Sequence, residues 1–184
     1  MSRIHFICVW LLLLCTVNSH YSCKAGEENK KGTTRRSYQA WQNRLEEPVG
    51  YINDFEGIFS EQERKTLDSL LQQFEKRTTI QIAVITIKSS MTPIDSMDLF
   101  TRKIGQGWGV GQKDKNNGVV VGISRVYRRI RIENGYGIEK ILSDAETQII
   151  IDSCFIPAFR KAEYYSGALT GLNALMQILE KRYQ

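Results

Sequence analysis

The chain has 184 residues, 42% of them hydrophobic, and a formal net charge of +5 from 25 basic and 20 acidic side chains. That length allows one domain plus appendages, and that composition excludes wholesale disorder. The basic excess is mild, and no arginine-rich helix, zinc-finger spacing or base-stacking strand pattern accompanies it, which excludes a nucleic-acid-binding footprint.

Residues 1–22 read as a secretory signal peptide: Arg3, an uninterrupted apolar run over 7–17, then the polar "NSHYSC". The run falls short of the roughly 20 residues that span a bilayer, so no transmembrane helix is expected after its removal. Two cleavage junctions fit. Cutting before Cys23 would leave Cys23 acylated as a lipoprotein anchor, although His20 and Tyr21 depart from the usual lipobox. Cutting after Ser19 would place Val17 and Ser19 at the small-residue positions. Either outcome places the protein outside the cytoplasm: in the periplasm, anchored as a lipoprotein, or secreted. Cys8 and Cys15 leave with the signal, and Cys154 reads as a small core residue, so there is no disulfide framework. Residues 23–47 read as a flexible polar tether with a short helix near Tyr38 to Leu45, and the folded domain is expected over 48–184.

The lead-in "VGYINDFEGIFS" runs into a helix. Ser60 and Glu63 form a capping box, Leu67, Leu70, Leu71 and Phe74 recur at helical spacing, and Thr78 and Thr79 close it. Residues 80–87, "IQIAVITI", predict a strand buried on both faces. Pro93 opens a second helix with Met97, Phe100 and Ile104 on one side. The stretch "WGVGQKDKNNGVVV" then passes through a polar, glycine-rich loop into a buried strand over 119–123. "RRIRIE", 128–133, alternates charged and apolar residues as a strand with one wet face does. A helix is predicted over 143–153 and a break at Pro157. A final helix over 163–182 carries Leu169, Leu172, Leu175, Met176 and Leu179 as its buried stripe.

Strand, crossover helix, strand makes a right-handed unit with parallel strands. The next strand follows too closely for a crossover and must return antiparallel. The expected fold class is therefore α/β: a three-layer α/β/α sandwich on a small mixed sheet. This topology makes the loops 105–118 and 134–143 face one another at one end of the sheet. It gathers Asp114, Asn116, Asn117, Glu133, Glu139 and Asp144 on one rim, with Trp108 and Tyr136. Such hard oxygen donors suit calcium, and less selectively magnesium or manganese. The same residues also read as turn chemistry, with Asp144 favouring the start of the following helix. A phosphate-binding glycine loop is excluded by element order, because this loop follows a helix and precedes a strand. The only histidines, His5 and His20, lie in the signal, so the mature chain has neither a Ser-His-Asp arrangement nor a histidine-ligated zinc. Arg128, Arg129 and Arg131 either receive an anion or simply form the wet face of their strand.

Five stretches in this order, "YINDFEGIFS", "IQIAVITI", "WGVGQKDKNNGVVVGIS", "RRIRIENGYGIEKILSD" and "IPAFRKAEYYSGALTGLNAL", resemble the TPM domain. That family includes a thylakoid-lumen acid phosphatase-like protein, a photosystem II repair protein, a nematode acetylcholine-receptor auxiliary protein and many bacterial envelope proteins. The resemblance implies an α/β/α sandwich and an extracytoplasmic, often membrane-tethered domain. It also implies calcium at acidic loop residues in some members and phosphatase activity in some. The family's Asp-Asn-Gly falls on Asn116, Asn117 and Gly118, its glutamate after Gly-Tyr-Gly on Glu139 and the following aspartate on Asp144. Asp54 matches the aspartate of the opening motif but belongs to the opposite end of the sheet. Asparagine at 116 in place of aspartate removes one formal charge, which weakens a cation site, with Asp114 nearby. The expected function is an accessory or interaction module for a membrane-protein complex or another envelope protein, carrying a weak calcium site. The alternative is a metal-dependent acid phosphatase-like hydrolase with Glu139 and Asp144 as ligands or acid–base groups, for which no nucleophile is evident.

Overall fold

The computed structural model describes residues 47–183. The signal peptide, the Cys23 anchor, the tether and its short helix lie outside them. Four strands form one sheet in the order β1 (Ile52–Asp54), β2 (Gln81–Thr86), β3 (Gly118–Ser124) and β4 (Arg129–Asn134). β1 and β2 are parallel, β2 and β3 are parallel, and β3 and β4 are antiparallel. The mixed sheet and its parallel crossover agree with the sequence expectation. β1 is an addition, since "IND" is too short for its alternation to register as a strand.

Helix α1 (Glu61–Thr78) starts where expected: Ser60 accepts from the Glu63 amide, and the Glu63 side chain accepts from the Ser60 amide. It ends on Thr79 in a left-handed conformation (φ 66°). Helix α2 (Met97–Trp108) follows a short 3-10 turn behind Pro93. After β4 come the single turn α3 (Tyr136–Glu139), α4 (Asp144–Ile150), α5 (Ile156–Phe159) and the long α6 (Tyr164–Arg182). The break expected at Pro157 does not occur. A π-helical segment, Ile151–Phe155, links α4 to α5, and Pro157 lies in the first turn of α5, where its missing amide leaves no bond unmade.

The period of two along each strand sorts the core into two layers. Ile82, Val84, Val119, Val121 and Ile132 share one cluster with Leu67, Leu71 and Phe74 of α1 and Leu172, Leu175 and Leu179 of α6. On the other face α2 lies close against β3: a Cβ added at Gly122 would sit 2.4 Å from the Thr101 hydroxyl, and one at Gly105 3.1 Å from a Val120 methyl. Helices on both faces of the sheet give the α/β/α sandwich.

Asp54 is a structural residue at the far end of β1. One carboxylate oxygen accepts from the Ile58 amide and the Thr86 hydroxyl, the other from the Phe59 amide. Those bonds hold the turn into α1, so its place in the opening motif has a local cause.

A second carboxylate makes stability depend on pH. The Arg182 guanidinium, 2.9 Å away, and then the Ser143 amide and hydroxyl hold the Glu146 carboxyl at about 2, below its ordinary 4.5. A depressed folded value means that this stabilisation is complete above about pH 4.5 and is lost as the pH falls toward about 2. A Glu146→Gln variant should lose that part of the acid transition in a circular-dichroism pH titration; an acid transition of unchanged shape would contradict the assignment.

Candidate functional site

The glycine-rich loop after α2 is a backbone-packed structure. Gly109 ends α2 in a left-handed conformation, with its amide on the Gly105 carbonyl. The Val110 amide uses the same carbonyl, Gly111 (φ 94°) donates to the Gln81 side chain, and Gln112 donates to the Asn117 side chain. Lys115 and Asn116 both donate to the Gln112 carbonyl. Six amides of the loop are therefore consumed internally, so the loop does not present the row of outward N–H groups that an anion nest needs.

The facing loop is held against it by backbone contacts. Gly135 donates to the Gly118 carbonyl at 2.8 Å and Gly137 to the Asn116 carbonyl at 2.9 Å. A Cβ at Gly137 would lie 2.2 Å from the Lys115 carbonyl oxygen, so Gly-Tyr-Gly is needed for close approach. The two loops meet as the topology requires.

Between them and the C-terminal half of α2 lies a cleft of about 490 Å³. Its floor is formed by Gly105, Val110, Gly118 and Val120, and its walls by Arg102 and Gln106 of α2, the glycine loop, and residues 133–136 with Glu139. Glu133, whose side chain is only 12% exposed, is paired to Arg131 at 2.9 Å and to Arg102 at 3.4 Å. Arg129 pairs with Asp98 at 2.9 Å. Arg129 and Arg131 are thus held in ion pairs along the face toward α2, the arrangement of a wet strand face. Arg128 has left the strand for the turn, at φ 51°.

Of the residues expected to hold a metal, Asn116 and Glu139 line this cleft and both are exposed. Asn117 is directed elsewhere. It is fully buried, its amide oxygen accepts from Gln112, and its nitrogen donates to the Thr79 carbonyl and hydroxyl and to the Tyr183 hydroxyl. Asp114 sits on the exposed turn outside the lining, and Asp144 opens α4 behind the Ser143 cap, where the helix dipole favours it. Among the described residues no three or more acidic, histidine or cysteine side chains gather as a cation site. One buried polar side chain that the sequence reading missed lies on the opposite face of the sheet from the cleft, the face of Val119 and α4. Asn134 donates to the Thr147 hydroxyl, but its amide oxygen is buried without a partner. Its register opposite Val119, next to the loop, was the available signal. In the cleft itself, one exposed carboxylate, Glu139, and one exposed amide, Asn116, are a sparse donor set, far short of the about six to eight oxygens that calcium takes.

A model described as the TPM domain matches residues 52–178. The chain belongs to the TPM domain family. No curated protein matches the chain. Among solved structures, this TPM domain is similar to the N-terminal domain of a protein from P. gingivalis: 29% identity over 73% of this chain and 86% of that one, at a TM-score of 0.65. It also resembles the BA42 protein of Bizionia argentinensis (21% identity, 70% and 86% covered, TM-score 0.54) and the N-terminal domain of the cg2496 protein of Corynebacterium glutamicum (15%, 72% and 84%, 0.53). At those identities the last two support the TPM fold alone. No helix among the described residues is long and apolar enough to cross a membrane.

Proposed function

We infer that this TPM domain is an extracytoplasmic accessory module that binds a membrane-protein complex or another envelope protein through the cleft between its two glycine loops, with a weak divalent cation as an adjunct. The observation that carries this reading is Tyr136. It stands 75% exposed at a cleft whose most buried carboxylate, Glu133, is neutralised by two arginines. Exposed aromatic rings beside packed loops are the anchors of recognition surfaces. A carboxylate locked in ion pairs is poorly placed to act as a general base. The consumed amides of the glycine loop likewise favour binding over phosphate-ester hydrolysis, since they offer no cradle for the transferred group.

The cation would be held by Glu139 and Asn116. With a single free carboxylate, ligand charge is low, and binding should be in the range of about 0.1–1 mM calcium. Amide NMR during a calcium titration checks this: shifts should centre on residues 112–118 and 133–139 and vanish in Glu139→Gln. Saturation at micromolar calcium, or no response at several times the expected range, would contradict it. The interaction role is tested by chemical crosslinking of the full chain in native membranes. A discrete crosslinked complex is expected, together with phosphate-monoester turnover that stays at background through purification. Turnover that co-purifies with the protein and falls in Glu139→Gln would replace this reading with the hydrolase.

A further inference from the structure

The side chains around the cleft specify the chemistry of its ligand, on the premise that the cleft is the recognition surface. Two opposing observations decide it. First, charge is balanced: Arg102 and Lys113 line the cleft with Glu133 and Glu139, and Glu133 already holds Arg102. Second, the polar groups left uncommitted are mostly amides. The side chains of Gln106, Gln112 and Asn116 make no hydrogen bond within the described residues, and all three residues line the cleft. A primary amide offers two donors and an acceptor, so it pairs with both halves of a peptide group. Below these amides the floor is apolar, formed by Val110, Val120 and two glycines that bring backbone to the surface. Beside them projects the Tyr136 ring. Tyrosine with asparagine-like amides and glycine on rigidly held loops is the composition of surfaces that recognise polypeptide.

We propose that the cleft binds an extended, uncharged peptide segment of the partner. One apolar side chain of that segment rests on the Val110–Val120 floor, and its backbone is read by Gln106, Gln112 and Asn116. A phosphorylated or acidic segment is disfavoured because the loop amides are spent and Arg102 is held by Glu133, so the lining is not a cationic cluster. A basic segment is disfavoured because Glu139 is the single carboxylate left free. Little of the affinity is then electrostatic, and its salt dependence is weak.

The test uses the full chain against a synthetic peptide array of uncharged, acidic and basic segments, with a glycan array in parallel. Uncharged segments carrying an apolar anchor should bind. Their affinity should change less than about threefold between about 50 mM and about 500 mM salt, where an ion-pair-driven contact would be screened. Tyr136→Ala and Gln112→Ala should each weaken binding about tenfold or more, as central contacts of an interface do. Both positions are off the buried core, and an unchanged thermal midpoint separates lost contact from lost fold. Preference for acidic or basic segments with steep salt dependence, binding to glycans alone, or no binding on either array would overturn the proposal. In each of those outcomes a crosslinked complex that persists in native membranes leaves the interaction module standing, while its absence removes both.

Discussion

Asn117→Ala should lower the unfolding free energy by about 3–4 kcal/mol, through loss of buried hydrogen bonds and without any effect of calcium. Asn117 is completely buried and its amide joins three parts of the chain. The oxygen holds the Gln112 amide of the glycine loop at 2.8 Å. The nitrogen holds the Thr79 carbonyl at 2.8 Å, at the end of α1, and the Tyr183 hydroxyl at 3.0 Å, just past α6. Alanine removes the one side chain that joins an amide, a carbonyl and a hydroxyl from three parts of the chain, and each buried group left unpaired costs about 1–3 kcal/mol. Urea denaturation of the full chain measures it. A loss under about 1 kcal/mol would mean that the amide is replaceable; a loss seen only with calcium present would restore Asn117 as a ligand.

Gly118→Ala should be of similar size, about 3 kcal/mol or more, and should also abolish binding at the cleft. The added Cβ would lie 2.0 Å from the Val110 carbonyl oxygen and 3.0 Å from the Gly111 amide. Both neighbours are backbone, so no flexible side chain can move aside. The loop must lift off β3, and the Gly135 contact to the Gly118 carbonyl is lost with it. Gly118 opens β3 in register with Gln81, so its effect should appear as reduced protection of the β2 and β3 amides in hydrogen exchange. Native protection in the variant would contradict the close backbone stacking.

The sheet was legible because β2 and β3 are written as continuous apolar runs and β4 as an alternating one, and its order follows from handedness and loop length. β1 was not, because three residues carry no period. Pro157 misled because the residues before it, "IIIDSCF", form a wide π turn that uses proline where no amide donor is required. At the site, topology correctly brought the two loops together. What it could not supply was the direction of each side chain. Asn116 and Asn117 are adjacent and chemically identical, yet the left-handed backbone at Asn116 (φ 49°) leaves that side chain on the exposed cleft, and its neighbour turns wholly inward. Spacing cannot separate two asparagines; a single positive φ can. The same limit hid Asn134, whose unpartnered oxygen follows from where Thr147 takes its nitrogen.

The interaction surface itself is tested most directly by site-specific photo-crosslinking in native membranes. A photoreactive residue placed at Tyr136, on the cleft, is compared with one at Gln73, exposed on α1. The expected result is a discrete adduct of defined mass from position 136 and none from position 73. Equal adducts from both positions, or none from 136 while the protein remains folded, would contradict a partner-binding cleft.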